Sequence, residues 1–180
     1  MRKLILTMVT CWAVSFASAA GPQSSDQPKE KPQGAMAACP MHDAHSKMNE
    51  RGEAGMGFSQ VATTHHFVLK RDGGVIQVEV NDAADTGNRA SVRMHLTHIA
   101  KAFAAGDFDI PMFVHDTVPP GVPDMKRLQG KIRYSFEETP NGGRVVIATA
   151  DEESLSAIHK FLRFQIEEHK TGDPIDIPQK

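Results

Sequence analysis

Two cysteines are all the thiol chemistry this 180-residue chain has, and one of them, Cys11, lies in a segment expected to be removed on export. The single thiol left, Cys39, excludes an internal disulfide, so stability must come from packing even in an oxidising compartment. No excess of basic charge is present either. The 20 Lys and Arg against 22 Asp and Glu give a formal charge of −2, and without Arg2 and Lys3 the remainder carries −4. That balance supplies no basic face and excludes nucleic acid as an expected partner. Beyond the first twenty residues there is no apolar run long enough to cross a bilayer. A nucleophile elbow, a phosphate-binding glycine loop and a paired-histidine zinc motif with an intervening Glu are also missing. Without a Cys-x-x-Cys-His segment, covalent attachment of a c-type heme is excluded as well.

What is present begins with Arg2 and Lys3, an apolar run from Leu4 to Phe16, and the small residues Ala17-Ser18-Ala19-Ala20. This order of charge, short apolar stretch and small residues predicts a cleaved signal peptide over 1–20, and hence a periplasmic or secreted protein with no membrane span after cleavage. The remaining chain of about 160 residues suits one domain and a tail. Residues 21–57 are rich in Pro, Gln, Ser, Lys, Glu, Gly and Ala, with almost no large apolar side chain. Such a stretch cannot bury enough surface to fold alone, and a disordered linker is expected. Within it lie Cys39, Met41, His42, His45 and Met48. A thiolate, two thioethers and two imidazoles within ten residues form a soft donor set that favours Cu(I), with zinc and heme left open as alternatives.

Cys39-Pro40-Met41-His42 resembles the heavy-metal-binding motif of copper and silver efflux proteins and metal-transporting ATPases. The likeness spans four residues and departs from the family pattern at Ala38 and Asp43, so it implies no folded module. It implies Cys39, Met41 and His42 as metal ligands and nothing further; a metal-efflux protein as partner is an expectation of the function read below. The body of the chain resembles uncharacterised exported bacterial proteins, which implies no activity.

From 58 to 174 the pattern predicts an α+β domain. Phe67 and Leu69 alternate on one strand and Ile76, Val78 and Val80 on the next, around an Asp-Gly-Gly turn, which reads as a hairpin. An amphipathic helix follows from about Asn88 to Ala105, with Val92, Leu96, Ile99 and Phe103 as its apolar stripe. The same succession returns: a hairpin built on Ile132, Tyr134, Phe136, Val145 and Ile147, then a helix capped by Asp151 with a stripe of Leu155, Ile158, Leu162 and Ile166. The expected fold is therefore two ββα units, 58–107 and 131–174, forming a mainly antiparallel four-stranded sheet with two long helices on one face. A proline-rich connection, 108–130, is expected to lack regular structure beyond a short turn near Asp124–Leu128. Residues 175–180 read as a frayed end, and monomer and homodimer both stay open.

The two units differ most in their histidines. His95 and His98 of the first helix align with Phe161 and Phe164 of the second, so the fold does not require imidazoles there. With His65 on the core side of its strand, and Met112 and His115 on the connection, they make a candidate second metal site. His169 reads as a partner for its helix's C-terminal dipole. Phe161 and Phe164 are expected off the core stripe, covering the long connection. The function these observations favour is an exported copper-binding protein, acting in sequestration or in hand-over during metal homeostasis and resistance. The alternatives are a metal- or heme-dependent periplasmic enzyme using His65, His95, His98 and His115, or a protein-interaction module presenting Phe161 and Phe164.

Overall fold

Two-residue turns at Arg71-Asp72 and Pro140-Asn141 close two hairpins, β1 (Thr63–Lys70) with β2 (Gly73–Val80), and β3 (Ile132–Thr139) with β4 (Gly142–Thr149). The computed structural model describes residues 40–177, with side chains from residue 46 onward. The expected signal segment, residues 21–39 with Cys39, the side chains of Met41, His42 and His45, and residues 178–180 lie outside that description. The sheet order is β1-β2-β4-β3 and every pairing is antiparallel, so the hairpins meet along β2 and β4. Thr63 and Ile132, and likewise Gly73 and Gly142, stand 69 positions apart. Close approach at the central seam explains Gly73: its φ is +149°, and a Cβ there would sit 1.9 Å from the Ile147 carbonyl oxygen.

Helices α2 (Thr86–Ala104) and α5 (Glu152–His169) pack on one face of this sheet. Asp85 caps α2 by accepting from the Asn88 amide, and Asp151 caps α5 by accepting from the Ser154 amide, in each case satisfying an amide of the first turn. Val92, Leu96, Ile99 and Phe103 are buried on α2, as are Ile158, Leu162 and Ile166 on α5. Each helix crosses to the hairpin of the other unit: α2 lies mainly over β3 and β4, α5 over β1 and β2. Two polar clamps mark the crossing. Arg93 donates from Nε to the Gly142 carbonyl at 2.9 Å and from a terminal nitrogen to that of Thr139 at 2.7 Å. In the corresponding place on α5, buried His159 brings Nε2 to 2.8 Å from the Lys70 carbonyl and 3.1 Å from that of Gly73.

Four expectations need correction. Residues 40–56, read as disordered, form helix α1 (Pro40–Met56). Its small residues let it lie close on α3 (Asp109–His115): Gly55 abuts Phe113, Arg51 donates from Nε to the Val114 carbonyl at 2.9 Å, and Met48 is only 4% exposed. The poverty in large apolar groups was outweighed by a tertiary partner. The connection, read as irregular, holds α3, α4 (Val122–Arg127) and a 3₁₀ turn (Gln129–Lys131). Pro111 and Pro123 fall in the first turns of the two short helices, where an amide has no intrahelical partner anyway, so they begin helices rather than break them. Phe161 is not off the core: it is 1% exposed and packs edge-on to Phe103 and Phe108. Residues 175–177 are not frayed, since Arg163 donates to the Ile175 carbonyl and Ile177 packs partly buried against the core. Among the described residues no helix is long and apolar enough to cross a membrane.

Candidate functional site

Strand alternation turns His65 inward beside Phe67, into the space left between β1, α2, α3 and α5. Three further imidazoles reach the same space. His95 comes from the middle of α2, His115 is the last residue of α3 and His169 the last of α5. His65 and His169 stack nearly parallel, centroids 5.5 Å apart and planes at 11°. His115 meets His169 edge-on at 5.0 Å, and buried Phe58 lies between His65 and His95 at 5.9 and 5.5 Å. Phe164 packs edge-on to His115 at 5.0 Å, so this ring does cover the connection as expected.

Burial decides the charge of these rings. Loss of solvent, with a smaller repulsion from His66, pushes His65 down to about 4. The same loss of solvent, then repulsion from His65 and His98, brings His95 to about 4. His115 is lowered too, again chiefly by burial. Near neutral pH these three are uncharged, so each keeps a lone pair for a metal ion or for a hydrogen-bond donor. His65 Nε2 and His115 Nδ1 are both buried with no hydrogen-bond partner in the protein. Buried polar atoms are normally paired, and two orphans on one imidazole cluster are the strongest local sign that something else belongs there.

Two cavities meet at His65 and His169. The inner one, about 60 Å³, is walled mostly by carbon, including Leu96, Ile99, Phe103 and Phe161, with Met56, His95, His115 and Gln165 among its lining. The outer one, about 310 Å³, is polar and bounded by Asn49 of α1, Gln60, Thr63, Thr64, Lys170 and Thr171.

Of the residues proposed for a second metal site, His65, His95 and His115 are brought together. His98 is not: it faces solvent on the outer side of α2, next to Met94, which is 71% exposed. Three positions along a helix leave the two rings neighbours on its surface, close enough for His98 to disfavour charge on His95, but only His95 lines the cavity. Met112 stands outside both cavities; the thioether in the inner lining is that of Met56. Met48, proposed as a tail ligand, is buried and serves packing. Among the described residues no three His, Cys, Asp or Glu are set to enclose a metal ion. His169 and Gln165 were missed. Their signal was the spacing of Phe161, Gln165 and His169 at successive steps of four, which places all three on one side of α5. Comparison with family models, with curated proteins and with solved structures returns no match.

Proposed function

We propose that this is an exported copper-binding protein that captures Cu(I) on Cys39, Met41, His42 and His45 and carries it for sequestration or for hand-over to an efflux partner. Copper is its cargo. One observation supports the reading above others: the helix that begins at Pro40, next to Cys39 in the sequence, is anchored to the domain, and its Asn49 lines the same cavity as His65 and His169. Asn49 stands on that anchored helix beside buried, uncharged His65, four positions after position 45 in the sequence. Thiolate, thioether and uncharged imidazole together suit Cu(I) better than a hard cation. The export signal and the likeness of the two ββα units, read as an internal repeat, belong to the same proposal.

Competition titration against a Cu(I) chelator tests it. Cys39→Ala or His42→Ala should weaken binding by at least about tenfold, near 1.4 kcal/mol. Affinity unchanged in both variants would remove the reading.

A further inference from the structure

Three buried polar atoms in residues lining the inner cavity have no partner within the protein: His65 Nε2, His115 Nδ1 and Gln165 Nε2. Two of them form a matched pair. His115 Nε2 and Gln165 Oε1 are 3.0 Å apart, so ring and amide already share one hydrogen bond. With Nε2 as donor, Nδ1 keeps a free lone pair and the Gln165 amino group keeps a free N–H. With the amide turned over, its oxygen becomes the free acceptor and Nδ1 carries the free hydrogen. Either way the pair presents one donor and one acceptor, and leaving both unmet costs on the order of 1–3 kcal/mol each.

The rest of the cavity has a different character. Its walls are Leu96, Ile99, Phe103, Val114 and Phe161, and no carboxylate, lysine or arginine lines it. At about 60 Å³ it has room for roughly four waters. A buried water needs two to four polar partners, and three orphan atoms serve one or two waters, leaving the others against hydrocarbon. A ligand with a polar end and a carbon body matches this distribution better than a water cluster. We propose that the inner cavity binds a small uncharged amphiphile, a primary amide or alcohol on a short hydrocarbon tail, with its head on His115 and Gln165 and its tail among Leu96, Ile99 and Phe103. The outer cavity, which shares His65 and His169, is its route in. This site does not depend on copper.

Propionamide is the probe, titrated into the intact, metal-free, ¹⁵N-labelled protein, with formamide as the head without a tail. Saturable shifts should centre on the Gln165 side-chain amide and on the His115 Nδ1 resonance, and propionamide should bind more tightly than formamide. Gln165→Met removes the amide at similar volume and should weaken propionamide roughly tenfold. If that variant does not fold, the His115 Nδ1 resonance of the unaltered protein still decides. Absence of saturable shifts, equal response to both amides, equal affinity in Gln165→Met, or a soaked crystal holding buried water only would each overturn the assignment.

Discussion

At the scale of single residues, the clamps and the imidazoles make opposite demands. His159 is 5% exposed and satisfies two carbonyls of the β1–β2 turn, whereas Arg93 serves the β3–β4 turn from a half-buried position and also pairs with Glu138. His159→Ala should therefore lose about 2–3 kcal/mol in urea unfolding, from a cavity and two stranded carbonyls. Arg93→Ala should lose less, because solvent can reach the acceptors it leaves. An equal loss in both would contradict the difference in burial. His65 and His95 work in the other direction. Their pKa values in the fold, about 4, lie below the ordinary value of 6.5. Between those limits the unfolded chain binds more protons, so stability is full above pH 6.5 and falls as pH drops toward 4, with no further loss from these groups below it. His65→Phe keeps a ring between Phe58 and Phe67, and should flatten the pH dependence of unfolding in that window. An unchanged slope would mean that His65 is not held neutral.

At the scale of elements, what could be read from sequence was whatever depended on local period and turn chemistry. The strand alternation of Phe67, Leu69, Ile76, Val78 and Val80 and the stripe of Val92, Leu96, Ile99 and Phe103 match buried positions. Alternation and helical period carry their own phase, so no partner need be known. Helix α1 was illegible for the reverse reason. Its packing partner is α3, met through Gly55 and Arg51. The imidazole site is half legible: strand alternation points to His65, the replacement by Phe161 to His95, and the connection to His115, yet His169 and Gln165 stand on the second helix and supply the rest. Contrast between the units could not reveal residues that the second unit itself contributes. Gly55→Leu would drive a side chain into Phe113, and should raise amide hydrogen exchange across 40–56 while leaving β2 and β4 protected. Uniform loss of protection across the sheet would show that α1 is not a separable element.

At the scale of the whole molecule, crossed packing makes the two ββα units interdependent. Because α2 lies mainly over the second hairpin and α5 mainly over the first, each unit takes most of its cover from the other. Residues 58–107 and 131–174 made as separate peptides should each show little helix by circular dichroism, whereas a folded isolated unit would contradict the crossing. The same interlock holds the imidazoles of β1, α2 and α5 around one space, with α3 and α1 laid over it. On the proposed function, Cys39, Met41, His42 and His45 capture Cu(I) and the folded body carries them. The most direct test is copper K-edge X-ray absorption on the Cu(I)-loaded protein. It should show sulfur and nitrogen scatterers together, with the sulfur contribution reduced in Cys39→Ala and the nitrogen contribution reduced in His42→Ala. A spectrum of light-atom ligands alone, indifferent to both substitutions, would contradict it.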